Sequence, residues 1–173
     1  MPSYNLAKLR GDQPNLWPSL VLPACLLACE ASPGAVSSFE LSYIAANAKG
    51  PALEPWQITH ALDVPSADLE ALAGADRTEL LHVAAAGVLT SILRGRDDLR
   101  VGHVSRRGKG LDFYLERLDG RDAGVLCALG AAGPDPAIAL ANAIKHAEAA
   151  PWSRKIAGAV AFGGGKAALR VLS

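Results

Sequence analysis

The sequence lacks the features that mark several specialised protein classes. Three cysteines in 173 residues are too few, and odd in number, for a disulfide framework. They indicate small buried side chains in a reducing, cytoplasmic setting. No apolar run approaches the roughly 18 residues of a membrane span. The formal net charge is zero, so the overall charge gives no strong indication of a nucleic-acid partner.

What is present is typical of a globular chain. Half of the residues are hydrophobic and a fifth are charged, which predicts one domain over 1–173 with a real core. The charges are uneven, because residues 1–70 hold three Lys/Arg against seven Asp/Glu, a balance of −4 that residues 71–173 offset. The basic part could meet an anion or could complement the acidic part of the same chain.

One stretch raises a targeting question. Leu26, Leu27, Ala28 and Cys29 look like a bacterial lipoprotein cleavage box. Three prolines interrupt the apolar segment before it, and a signal peptide requires a continuous one. We therefore expect a core segment, although the sequence alone leaves the lipoprotein reading open.

The first third of the chain predicts an extended, β-rich extension over residues 1–65. Met1–Pro23 is punctuated by proline and is expected to be extended. Ala24–Ala31 fits a short strand or helix, and Ser38–Ala45 alternates as a strand does. Together they suggest an N-terminal β-hairpin, with Trp56–Leu62 as a further strand.

Residues 66–173 predict a regular core. Asp76 is a good N-cap for a helix to about Leu93, with Glu79 completing a capping box, and Arg94-Gly95-Arg96 as its end. Three short strands follow, then a helix opened by Asp135 and Pro136, then two strands. The predicted strands are Leu99–Val104, Leu111–Leu118, Val125–Leu129, Ile156–Phe162 and Ala168–Leu172. The expected fold is α+β, with a central mixed sheet flanked by two main helices.

This order resembles the core of the PD-(D/E)xK restriction-endonuclease-like superfamily. Gly110-Leu111-Asp112-Phe113-Tyr114 is similar to the family's G-x-D-[FY]-[YW] stretch, in which the aspartate binds metal. Glu79 lies on the first helix, where many members carry an acidic residue. The resemblance implies a restriction-endonuclease-like fold over about residues 76–172.

The sequence departs from the family on the third strand of the meander. The family carries an acid and a lysine there, and this chain has Cys127 and Leu129 at the corresponding positions. Mg²⁺ prefers hard oxygen ligands, so Asp112 alone makes a poor site and a thiol is the wrong type of ligand. We therefore expect no cofactor and no metal site, and a thiol with a raised pKa at Cys127. The vestigial catalytic candidates are Glu79, Asp112, Cys127 and Leu129.

Two functions follow as expectations. The first is a non-catalytic interaction or structural protein of a bacterial multi-protein assembly, bound to a protein partner or to its own copies. Trp17, Trp56 and Trp152 are its interface candidates, since interface hot spots favour tryptophan. The second is a divergent Mg²⁺-dependent nuclease or DNA-binding module that uses Asp112 and the basic turn of residues 106–110. Its candidate phosphate ligands are Arg106, Arg107 and Lys109. His103, on the first strand, could also lie beside Asp112.

Overall fold

The computed structural model describes residues 1–108 and 110–172 of the chain. The strands are β1 (Ser3–Asn5), β2 (Val36–Ile44), β3 (Ala52–Thr59), β4 (Leu99–Arg107), β5 (Gly110–Arg117), β6 (Asp122–Ala131), β7 (Lys155–Ala161) and β8 (Lys166–Val171). The helices are α1 (Leu9–Asp12), α2 (Pro18–Ala28), α3 (Ser66–Ala73), α4 (Arg77–Asp97) and α5 (Ala137–Glu148), with 3-10 turns at Leu6–Lys8 and Pro14–Leu16.

All eight strands form one mixed sheet, in the order β1-β3-β2-β8-β7-β6-β5-β4. The pairs β1/β3, β2/β8 and β6/β7 are parallel, and the other four are antiparallel. The parallel β6/β7 pair requires a crossover, which α5 supplies. This architecture confirms the predicted α+β class with a mixed sheet.

The helices cover the two faces of the sheet unequally. α4 lies across β4, β6 and β7 on one face, and α2 packs against α4. The contact between these two helices is close because Gly87 has no side chain: a Cβ there would lie 2.5 Å from Val21 and 2.8 Å from the sulfur of Cys25. α5 covers β6 and β7 on the opposite face. Its small residues Ala143 and Ala147 form a second, smaller core.

The predicted meander is confirmed as β4, β5 and β6, and the last two strands as β7 and β8. The side chain of Asp76 accepts the backbone N–H of Glu79 at 3.0 Å, so the predicted N-cap of α4 is also correct. The predicted end at residues 94–96 is wrong, because α4 continues through Gly95 to Asp97. Asp98, in the left-handed conformation with φ 54°, ends the helix instead.

The prediction of an extended N-terminus is wrong. Residues 1–23 contain β1, two 3-10 turns, α1 and the start of α2. The prolines do not keep this segment extended, because Pro14 and Pro18 each stand in the first turn of a helical segment, where a missing N–H costs nothing. Leu9 and Leu16 of this segment are fully buried.

The N-terminal β-hairpin exists, but with different strands. It is formed by β2 and β3, paired antiparallel from Val36 with Thr59 to Tyr43 with Ala52. The earlier segment around Cys25 is helical and belongs to α2. The hairpin is continuous with the main sheet, because β2 pairs in parallel with β8.

The first part of the edge strand β4 is held by a side chain from the N-terminal segment. Gln13 is fully buried, and its amide donates to the carbonyl of Thr90 in α4 at 3.1 Å. Its oxygen accepts the backbone N–H of Val101 at 2.7 Å. One side chain thus joins helix α4 to strand β4.

Among the described residues, no helix is both long and apolar enough to cross a membrane.

Candidate functional sites

The aspartate of the predicted motif is buried on the α5 face of the sheet. Asp112 is 1% exposed, and it pairs with Cys127 across β5 and β6. Its neighbours Leu111 and Phe113 point to the other face, because successive side chains alternate along a strand. The sequence therefore placed Asp112 and Cys127 side by side correctly.

Three side chains surround the Asp112 carboxylate, and we call the four residues the Asp112 cluster. Arg107 donates through Nε to Oδ2 at 2.9 Å and through Nη2 to Oδ1 at 3.3 Å. The thiol of Cys127 donates to Oδ1 at 3.3 Å, and Nε2 of His146 lies 3.2 Å from the same oxygen. Both oxygens of the buried carboxylate are thus occupied.

Arg107 fixes this arrangement in two directions. Besides Asp112, its Nη2 donates to the backbone carbonyl of His146 at 2.6 Å. This ties β4 to the last turn of α5, where a cation is also favourable for the helix dipole. The hydrogen bond that Arg107 donates to Asp112 raises the pKa of Arg107, so its charge is permanent. The carboxylate and guanidinium form a bidentate pair, which is the strong type of ion pair.

Asp112, Cys127 and His146 offer donor atoms of the kind found in soft metal sites. The guanidinium of Arg107, however, already supplies a positive charge beside the carboxylate. The ligand atoms of Asp112, Cys127 and His146 all lie within 4.8 Å of one another. Burial, reinforced by Asp112, raises the pKa of Cys127 to about 12, so without a metal the thiol is protonated at neutral pH. Leu129 stands at the position where the restriction-endonuclease-like family carries a lysine, and its side chain has no charge. A metal ion would have to displace Arg107, and one carboxylate does not meet the ligand demand of Mg²⁺.

Glu79 does not join Asp112. It stands in the first turn of α4, on the opposite face of the sheet from the Asp112 cluster. Its carboxylate is exposed, and its backbone N–H is held by Asp76. The expectation that these two acids belong to one vestigial site is therefore wrong.

A second site lies on the α4 face, and we call it the α4 cleft. It has a volume of about 380 Å³ and brings together Trp17, Glu79 and Arg106, three residues that the sequence singled out for different reasons. Val104, Leu111, Phe113 and Ala128 form much of its apolar lining. Alternation along β4 explains the separation of the two arginines: Arg106 points to the α4 face and Arg107 to the Asp112 cluster.

His82 also lines the α4 cleft, and no motif in the sequence pointed to it. Its Nδ1 accepts the backbone N–H of Gly130 at 2.9 Å, so in the neutral ring the proton is on Nε2. Burial lowers the pKa of His82, which favours this neutral form. His82 therefore presents one N–H donor beyond its bond to Gly130.

The tryptophans have three different environments. Trp56 is 2% exposed in the core, so it is not an interface anchor as it was expected to be. Trp17 is 44% exposed, and its backbone is left-handed at φ 54°. Trp152 is half-buried against Tyr114, with ring centroids 5.1 Å apart, and the His103 ring stacks on Tyr114 with centroids 4.2 Å apart. His103 is thus paired with and stacked on Tyr114, and it is not among the side chains that contact Asp112.

Of the basic turn, Lys109 lies outside the described residues. Arg107 is committed to the Asp112 cluster, and Arg106 forms no salt bridge with any residue in 1–108 or 110–172. Only Arg106 of the three is therefore shown to be available to an external ligand.

Comparison of the chain with protein-family models, with curated proteins and with solved structures gave no match.

Proposed function

We propose that this chain is a non-catalytic protein-interaction or structural protein, built on a degenerate PD-(D/E)xK nuclease-like fold and part of a bacterial multi-protein assembly. One observation carries the proposal: the guanidinium of Arg107 occupies both oxygens of Asp112. A nuclease of this type needs a divalent cation and water at that carboxylate. Here the carboxylate is buried, neutralised and hydrogen-bonded from three sides.

The remaining catalytic positions support the same conclusion. The thiol of Cys127 is protonated at neutral pH, and the aliphatic side chain of Leu129 cannot act as an acid or a base. Glu79 is on the wrong face to complete the ligand set. Among the described residues, the group of general-base type at Asp112 is His146, and its Nε2 already contacts the carboxylate.

The topology is consistent with the nuclease-like part of the proposal. From α4 the chain runs through β4, β5 and β6, crosses over through α5, and returns as β7 beside β6. This is the order of helix, three-stranded meander, helix and strand on which the resemblance was based.

The hairpin supports the interaction role. Phe39 and Trp56 of β2 and β3 face the core, so alternation places Val36, Leu53 and Pro55 on the opposite, exposed side. Val36 is 53% exposed and Leu53 is 64% exposed. We call Val36, Glu40, Leu53 and Pro55 the hairpin face. Exposed aliphatic residues on a flat strand pair are suited to burial against a partner.

The catalytic half of the proposal is tested by incubating the purified chain with plasmid and single-stranded DNA in Mg²⁺. We expect the wild-type chain to cleave these substrates no more than the Asp112→Ala variant does. Robust cleavage that is lost in Asp112→Ala would refute the non-catalytic assignment.

The interaction half requires a matched pair of surface variants. Leu53→Arg places a charge on the hairpin face, and Leu118→Arg makes the same change at a residue 48% exposed in the β5–β6 turn. We expect Leu53→Arg to weaken a complex reconstituted from purified components and Leu118→Arg to leave it unchanged. A stable complex should bury more than about 1,000 Å². A chain that stays monomeric at high concentration and recovers no partner contradicts the proposal.

The alternative is a DNA-binding module, and one observation favours it. The rings of His103 on β4, Tyr114 on β5 and Trp152 in the loop before β7 are in contact, and aromatic side chains are platforms on which unpaired bases stack. This alternative predicts salt-dependent binding: the logarithm of the association constant should fall with the logarithm of the salt concentration, with a slope of roughly −0.9 per neutralised phosphate. A gel shift at low salt, with and without Mg²⁺, separates the two functions.

A further inference from the structure

The α4 cleft has the size and lining of a small-molecule site. Its volume of about 380 Å³ lies within the range of roughly 300–1,000 Å³ that organic ligands occupy. The floor is formed by Val104, Leu111 and Phe113 from the sheet and by Val83 from α4. An apolar body entering the cleft would displace water from these side chains, which is favourable.

Trp17 provides one wall of the cleft, and its backbone is strained to do so. It connects the 3-10 turn Pro14–Leu16 to α2 with φ 54° and ψ 67°, a conformation that costs a bulky residue on the order of 1–3 kcal/mol. Buried neighbours Leu16 and Val21 fix the chain on both sides. The indole is left 44% exposed, with an aromatic face available to a ligand.

The polar groups of the cleft define the charge of the ligand. His82 has Nε2–H free of any hydrogen bond to the described residues, since Nδ1 is the nitrogen that Gly130 engages. Arg106 adds a permanent cation without an ion-pair partner among those residues. Among the described residues, Glu79 is the only acid lining the cleft, and its carboxylate forms no ion pair within 4.0 Å of the Arg106 guanidinium. Arg106 and His82 thus supply one charged and one neutral donor to a largely apolar cleft, which has an exposed acid at its side.

We propose that the α4 cleft binds a small carboxylate with an aromatic or branched apolar body. The body packs between Trp17 and Phe113, and the carboxylate accepts hydrogen bonds from Arg106 and His82. A free organic acid and the C-terminal residue of a peptide both offer this chemistry. The inference depends on the cleft alone and holds whether or not the chain has a protein partner.

Four probes test the proposal by NMR, with the indole N–H of Trp17 as the reporter, assigned from Trp17→Phe. They are hydrocinnamate, its uncharged amide, phenethylamine, and acetyl-Ala-Ala-Phe with a free carboxyl group. We expect saturable shifts with hydrocinnamate, and binding at least about fivefold tighter than the amide, as expected for a hydrogen-bonded charge at a partly exposed site. The tighter of hydrocinnamate and the peptide identifies the source of the carboxylate.

Variants assign the contacts. Arg106→Gln should remove the preference for hydrocinnamate over the amide, and Arg121→Gln, at an exposed arginine in the β5–β6 turn, should keep it. Glu79→Gln should leave hydrocinnamate binding unchanged or slightly tighter. The proposal is overturned if hydrocinnamate gives no saturable shift, if the amide binds equally well, or if phenethylamine binds more tightly and Glu79→Gln abolishes that binding.

Discussion

Replacing Arg107 with glutamine tests the central feature of the Asp112 cluster. Within residues 1–108 and 110–172, the change removes the only permanent cation hydrogen-bonded to the Asp112 carboxylate, which is 1% exposed. It also removes the bond to the carbonyl of His146, so β4 loses its link to α5. We therefore predict that Arg107→Gln, a single substitution at the end of β4, causes a large loss of stability.

The magnitude follows from what remains around Asp112. Removing one partner of a buried ion pair costs about 3–5 kcal/mol. The lower end applies here, because Cys127 and His146 still contact Oδ1 and because the side chain of Arg107 is itself 29% exposed. We expect a loss of about 3 kcal/mol in the free energy of unfolding, which lowers the melting temperature by roughly 6–12 °C in a chain of this length.

A double-mutant cycle separates the charge from the packing. Arg107→Gln combined with Asp112→Asn leaves two neutral amides, and we expect most of the loss to be recovered. The coupling energy from urea unfolding should be at least about 1.5 kcal/mol. Arg121→Gln is the matched control, and its unfolding midpoint should not change. Additive effects, or a loss below about 1 kcal/mol in Arg107→Gln, would refute the reasoning.

Three further predictions concern side chains outside the ion pair. Trp56→Ala should cost about 3–5 kcal/mol in urea unfolding because it leaves a core cavity, whereas Trp17→Ala should cost much less because its ring is already 44% exposed. The thiol of Cys127, with its pKa raised to about 12, should not react with Ellman's reagent at mildly alkaline pH until the chain unfolds; rapid reaction in the native state would contradict its burial. Burial lowers the pKa of His60 from 6.5, so its contribution to stability is complete above that value and is lost as the pH falls. His60 should therefore lower the free energy of unfolding by up to about 1 kcal/mol between pH 6.5 and one pH unit below it. Urea unfolding at several pH values measures this dependence, and His60→Gln should make it weaker.

The second half of the fold was predictable because its signals are local. Alternation along β5 separated Phe113 from Asp112, and the cap at Asp76 fixed the start of α4. The resemblance put Cys127 at the acid position of the third strand, and the structure pairs it with Asp112. Periodicity and capping depend on neighbouring residues, so a single sequence reveals them.

The N-terminal segment was not predictable in the same way. Proline restricts φ but is compatible with both an extended chain and the first turn of a helix. What decides between them in residues 1–23 is burial against α4 and β4, as with Leu16 and Gln13. Contacts over 77 and 88 residues of sequence leave no local pattern.

The candidate sites show the same division. Asp112 and Cys127 were identified, but the roles of Arg107 and His146 depend on how α5 crosses the sheet. The only sequence signal for His146 is its position three residues after the buried Ala143, which places it on the sheet-facing side of α5. Nothing in the sequence indicated that His82 faces Gly130.

The amide of Gln13 has a consequence for how the chain behaves in crowded conditions. β4 is the last strand of the sheet, and an outermost strand can template the growth of aggregates by pairing with a strand of another molecule. Gln13 occupies the Val101 N–H, and the bulge between Val101 and His103 breaks the regular spacing of the strand. A foreign strand therefore finds an interrupted row of backbone groups, so this one buried side chain protects the molecule against unwanted self-association.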